Sequence, residues 1–191
     1  SLARNTPQRQ GAMLYTALSS EACQKICSRH PELNIGAFNS PDATVLSGEA
    51  QVLQKIESEL KQEAVFTSFV AVNVTSHSPQ VAPLEPELKA QLAHLQVQKN
   101  TVPMISTVSG QAITPEDLDA AYWFANLRQP VRFHQAVQKA LEQGFNLWIE
   151  ISPHPILLPM IRETAASLET EVFTLASLKR EQAKQNSLDQ S

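Results

Sequence analysis

The chain has 191 residues, 42% of them apolar, and a formal net charge of −4. That is enough for one compact domain, or one with an embedded subdomain, and it excludes a disordered chain. No basic cluster appears, which argues against nucleic acid as the main partner, and the longest apolar runs, such as Ile156-Leu157-Leu158, are far too short to cross a bilayer.

The sequence opens Ser1-Leu2-Ala3-Arg4-Asn5, with no Met and no hydrophobic stretch of the signal-peptide kind. It reads as a processed chain or a piece of a longer one. Residues 11–18 alternate as a strand. Ser19 or Ser20 can cap a helix through Ser28, with Glu21 in its first turn. Residues 33–38 and 44–46 read as two strands joined by the turn Asn39-Ser40-Pro41-Asp42. Residues 49–63 form an amphipathic helix with Val52, Leu53, Ile56 and Leu60 on one face, and residues 65–74 a fourth strand. The order β-α-β-β-α-β is the split βαβ of ferredoxin-like folds.

Beyond His77 the pattern changes to an α/β layer. A helix is predicted over 83–97, with Leu84, Leu88, Leu92 and Leu95 on one face, and a strand over 102–108. Thr114-Pro115-Glu116-Asp117 opens a helix, with Thr as cap and Pro at the first position. A further helix over 131–143 closes at Gly144. Residues 145–151 are nearly all apolar and predict a buried, parallel strand. A helix over 156–168 and a strand over 172–176 follow. Residues 179–191, rich in charge and amides, read as a linker. Cys23 and Cys27, four apart on a helix, read as free thiols of a reducing compartment, since no second pair or nearby His completes a metal site.

The stretch Val72-Asn73-Val74-Thr75-Ser76-His77-Ser78-Pro79 places a histidine where a strand stops and a loop begins. A histidine there can move protons near neutral pH, although a strand-end histidine is more often structural. Ser76 and Ser78 are neighbours of His77, and neighbours on an extended strand point to opposite faces, so neither easily forms a dyad with it. No Gly-x-Ser-x-Gly nucleophile elbow occurs in the sequence. The segment from Tyr122 to Phe133 can be a helix end broken by Pro130 with aromatics in the core, or a polar corner, Asn126 and Arg128, that orients a base. In Ser152-Pro153-His154-Pro155, His154 reads as a turn residue capping the following helix rather than as a ligand.

Six segments occur in order: Gly11-Ala12-Met13; Asn39-Ser40-Pro41 with Ser47-Gly48; Ser76-His77-Ser78-Pro79-Gln80-Val81; Ser106-Thr107-Val108-Ser109-Gly110; Tyr122-Trp123 with Asn126-Leu127-Arg128-Gln129-Pro130-Val131-Arg132-Phe133; and Glu150-Ile151-Ser152-Pro153-His154-Pro155. Together they closely resemble the acyltransferase domain of modular type I polyketide synthases, which is related to the malonyl-CoA:acyl carrier protein transacylases. The resemblance implies a fold of two parts. One is a ferredoxin-like small subdomain over 11–75, after an N-terminal segment 1–10. The other is the C-terminal part of an α/β-hydrolase-like large subdomain over 76–178, before a post-acyltransferase linker 179–191.

It also implies a two-step transfer. A serine attacks an acyl-CoA thioester, and the acyl group then passes to the phosphopantetheine thiol of an acyl carrier protein. His77 matches the family's general acid–base histidine, and Asn126 the position whose main-chain carbonyl orients it. Asn39 falls where the small subdomain lines the substrate channel. Val74, Thr75 and Ser76 occupy the positions whose identity accompanies extender choice. Ser76 leans towards methylmalonyl, while Val74 and Thr75 match neither of the usual patterns. The serine elbow and the carboxylate-pairing arginine of this family would lie upstream of Ser1, so the piece alone is expected to be inactive. Expected partners are an acyl carrier protein and neighbouring ketosynthase and linker domains, in the cytoplasm, with no bound cofactor or metal, no nucleic acid and no membrane. A free-standing transacylase of fatty acid synthesis and a non-catalytic docking module are the competing readings.

Overall fold

The structure is a computed structural model that describes residues 11–72, 75–98 and 102–179. The first half follows the expected order: β1 (Gly11–Thr16), α1 (Ser20–Arg29), β2 (Leu33–Ser40), β3 (Ala43–Glu49), α2 (Ala50–Gln62) and β4 (Thr67–Phe69). Ser19 caps α1 by accepting the Ala22 N–H at 3.3 Å, as a residue with a free hydroxyl and extended backbone should. The strands stand in the order β4-β1-β3-β2, antiparallel throughout. This is the split βαβ sheet. Leu14, Leu33, Ile35 and Leu46 from the strands meet Cys23 from α1 and Leu53, Ile56 and Leu60 from α2 in one buried core. Each such side chain removed from water contributes about 1.5–3 kcal/mol.

The fourth strand is shorter than the 65–74 predicted from alternation. It pairs only with β1, across Leu14–Thr16, and so is an edge with Phe66 and Val72 left exposed. Val74 lies outside the described residues. A strand that alternation did not suggest closes the other edge: β7 (Val131–Arg132) runs parallel to β2, pairing Val131 with Ala37 and Arg132 with Phe38. The helix predicted over 131–143 therefore begins only at Phe133, because Val131 and Arg132 are taken up in this pairing.

The second half departs further in its boundaries. The helix predicted over 83–97 splits at its prolines into a 3₁₀ turn, Pro79–Leu84, and α3 (Glu85–Gln91). In place of a strand over 102–108, β5 (Met104–Ile105) and β6 (Ala112–Ile113) make a hairpin. Its turn is held by Ser106, whose hydroxyl accepts the Val108 N–H at 3.0 Å, and by Gly110 at φ +72°. Thr114 and Asp117 form a capping box, but around a single 3₁₀ turn rather than the helix expected there. The helix itself, α4 (Ala120–Arg128), is capped by Asp119, which accepts the Tyr122 N–H at 2.7 Å.

Next come α5 (Phe133–Glu142), ended by Gly144 at φ +84°, then β8 (Leu147–Glu150), α6 (Leu158–Ser167) and β9 (Phe173–Ala176). Val137 of α5 packs against Leu158 and Ile161 of α6, with Trp148 and Ala176 at the rim. Glu163 of α6 reaches the β2–β3 turn, where it accepts the Ser40 hydroxyl at 2.9 Å and the Asp42 N–H at 3.3 Å.

β8 and β9 are parallel, as expected, but β8 is not buried. Leu147, Ile149 and Ile151 are 56%, 59% and 87% exposed, and Phe173 and Leu175 behave alike. Helices cover only one side of this two-stranded sheet, so every second residue faces outwards. Among the described residues, no helix is long and apolar enough to cross a membrane.

Candidate active site

The segment that carries His77 is gripped from three directions. Thr75 is buried beneath β1: a Cβ on Gly11 would run into its Cγ2, so only glycine fits there. The Thr75 hydroxyl donates to Gln80 Oε1 at 2.7 Å. Ser78, fully buried, donates to the Thr75 carbonyl at 2.7 Å and accepts the Gln80 N–H at 3.2 Å, capping the 3₁₀ turn that follows. Neither hydroxyl is free to serve as a nucleophile. The Ser76 carbonyl accepts the Ser47 hydroxyl at 2.8 Å.

His77 itself stands at φ +61°. A non-glycine residue in this left-handed region costs about 1–2 kcal/mol. Two carbonyls, one in the last turn of α4 and one just beyond it, offset that cost. The His77 N–H donates to the Leu127 carbonyl at 2.8 Å, and ring Nδ1 lies 2.8 Å from the Gln129 carbonyl. A carbonyl can only accept, so Nδ1 carries the proton and Nε2 of the neutral ring is the free acceptor.

The supply of carbonyls follows from the sequence. The last carbonyls of a helix have no partner within it, and Pro130 brings no N–H to continue the ladder. The carbonyl on Nδ1 therefore belongs to Gln129, three residues beyond Asn126, the position expected to supply it. Asn126 lies one turn earlier on α4, half-buried.

Asn39, half-buried, sits at an irregularity in the pairing of β2 with β3, directly after the pair Phe38–Arg132. The parallel pairing of β2 with β7 thus ties Asn39's strand to the corner that holds the ring. Ser76 is half-buried beside His77, whereas Thr75 is buried with its hydroxyl engaged.

His154 does not cap α6. Glu150 does: its carboxylate accepts the N–H groups of Ile156, Leu157 and Leu158 at 2.9–3.1 Å and the Ser152 hydroxyl at 3.1 Å. Burial pushes this carboxyl up, but the four donors together outweigh it and hold it below the ordinary carboxylate value. His154 is exposed in the turn that the carboxylate closes.

Cys23 is buried, and burial, helped by the nearby Cys23 sulfur, pushes the Cys27 thiol up to about 11. Neither is an activated thiolate. Between α3 and α4 lies an open apolar cleft of about 420 Å³ lined by Leu88, Leu92, Leu95, Val97, Trp123 and Leu127, among others.

A family model described as acyl transferase domain matches residues 2–190. Erythronolide synthase EryA2 of Saccharopolyspora erythraea is 37% identical over 175 residues, which is 91% of this chain and 5% of that protein. The acyltransferase domain from module 8 of the salinomycin polyketide synthase superposes with a TM-score of 0.86 at 31% identity, covering 91% of this chain and 41% of that one. The acyltransferase domain of the polyketide synthase PpsC of Mycobacterium tuberculosis gives 0.83 at 32% identity, covering 90% and 54%. The chain thus spans about half, or less, of these two solved domains.

Proposed function

The chain belongs to the acyl transferase domain family, and from this premise we propose that it supplies the acid–base half of a polyketide synthase acyltransferase. The observation that carries the reading is the ring of His77, anchored through Nδ1 on the Gln129 carbonyl with Nε2 left to exchange protons. The nucleophile is a serine from outside this sequence, which holds no elbow motif.

The serine oxygen attacks the acyl-CoA thioester while Nε2 takes its proton. As the carbon–sulfur bond breaks, the imidazolium returns that proton to the departing CoA thiolate. In the second step Nε2 removes the proton from the phosphopantetheine thiol of the carrier protein, and the thiolate attacks the acyl-serine. The proton then passes back to the serine oxygen. Each transfer leaves the ring neutral, and the Gln129 carbonyl on Nδ1 stabilises the cation formed on the way.

The acyl group is of malonyl type, with a lean to methylmalonyl. The small side chain of Ser76 beside His77 supports this lean, since room for one methyl is worth about 1–3 kcal/mol of discrimination. Thr75, buried and bonded to Gln80, acts on that choice through packing rather than by touching substrate. The exposed face of Leu147, Ile149, Phe173 and Leu175 is the seat of the rest of the acyltransferase, which also brings the serine. The acyl carrier protein and a neighbouring ketosynthase are its working partners.

His77→Ala in the complete acyltransferase tests the reading. Transfer of malonyl from malonyl-CoA to the carrier protein should fall by about 10² to 10⁴. Transfer at the parent rate would refute it.

A further inference from the structure

The peptide group that enters His77 is held at both of its ends. Its carbonyl, on Ser76, accepts the Ser47 hydroxyl at 2.8 Å, and its N–H donates to the Leu127 carbonyl at 2.8 Å. A peptide group is a rigid plane. Two bonds at opposite edges fix its orientation, and with it the φ of His77, which stands at +61°. Leu127 lies on the same corner as Gln129, so it moves with the carbonyl that holds the ring. Ser47 comes from β3, two strands away from β7 in the same sheet.

Ser47 is fully buried in β3, opposite Met13 of β1 on one side and Asn34 of β2 on the other. A residue in the middle of a three-strand ladder has little freedom to drift. The space around it is also fitted: a Cβ on Gly36 would stand 3.1 Å from Ser47 Cβ. Loss of the hydroxyl would leave the Ser76 carbonyl without this partner and the entering peptide pinned at one edge only.

We infer that Ser47 is a positioning residue for the transfer: through one peptide group it sets the angle at which the His77 ring is presented. The inference rests on the reading of His77 as the acid–base group. Ser47 touches neither substrate nor reacting atoms.

Ser47→Ala, His77→Ala and the double variant are compared in the complete acyltransferase, with malonyl-CoA and its carrier protein. Misplacing the ring should lower kcat by roughly 10- to 100-fold in Ser47→Ala. KM for malonyl-CoA should change by less than about threefold, since a group that acts only in the chemical step leaves substrate binding alone. In the His77→Ala background the same substitution should cost nothing further, because there is no ring left to position.

Ser47→Cys keeps the volume and loses most of the donor strength, so it provides the same comparison should the alanine variant not fold. Parental kcat in the Ser47 variants would overturn the inference. So would an equal loss with and without His77, which would make Ser47 a purely structural residue. Full activity of His77→Ala alone would overturn the underlying reading instead, and the two failures are read from different variants.

Discussion

Glu150 closes the turn that leads into α6, and Glu150→Gln isolates what that closure contributes. In the parent, two carboxylate oxygens receive four donors: the N–H groups of Ile156, Leu157 and Leu158 and the hydroxyl of Ser152. Glutamine leaves one acceptor oxygen and turns two N–H donors towards the others. Loss of a helix cap costs about 0.5–2 kcal/mol, and a hydrogen bond to a charged group contributes about 1.5–3 kcal/mol. We expect about 2 kcal/mol in all, or a Tm lower by roughly 4–8 °C for a unit of this size.

The pH dependence has a definite sign. The folded carboxyl titrates below its ordinary value. The stability it contributes is therefore fully present above the unfolded pKa of about 4.3 and is lost as pH falls through the lower folded one. Thermal unfolding followed by circular dichroism at pH 7 and in steps below pH 5 should show the two proteins far apart at neutrality and converging in acid. An equal Tm at pH 7, or a gap that stays constant down to low pH, would refute the role given to the carboxylate.

Two further outcomes follow from the same geometry. Gly11→Ala places a methyl against Thr75; overpacking of this kind costs about 1–3 kcal/mol, and because Thr75 is two residues from His77, acyl transfer should fall together with Tm. A variant that is destabilised yet transfers at the parent rate would show that the β1 contact does not bear on the ring. Cys27, with its thiol pushed up to about 11, should resist iodoacetamide at pH 7.5 and react faster as pH rises towards that value. Rapid labelling at neutral pH would contradict it.

Alternation and helical spacing made the first four strands and two helices legible, since their apolar faces converge on a single core that Leu14, Leu46 and Leu53 share. The site was legible in outline. His77 stands out at a strand end, and a helix broken before Pro130 must leave carbonyls without partners.

Which carbonyl takes the ring could not be read from spacing. It depends on the left-handed turn at His77 and on how β7 docks beside β2, both of which are tertiary outcomes. The Glu150 cap was hidden for a related reason: its donors lie six to eight residues further on, beyond a proline-rich turn, where attention falls on His154. The burial expected of residues 145–151 failed because an apolar strand shows that it needs cover on both faces, not that this chain provides it. Ser47-Gly48 was visible as a motif, but its hydroxyl acquires a meaning only when β3 and the His77 segment are brought together.

The central claim is that Nε2 of His77 carries the protons of acyl transfer. Its most direct test is the single-turnover acylation of the complete acyltransferase by malonyl-CoA across pH, parent against His77→Ala. The account predicts a variant that is slower than the parent by about 10² to 10⁴ throughout. A variant that keeps the parent rate would contradict it.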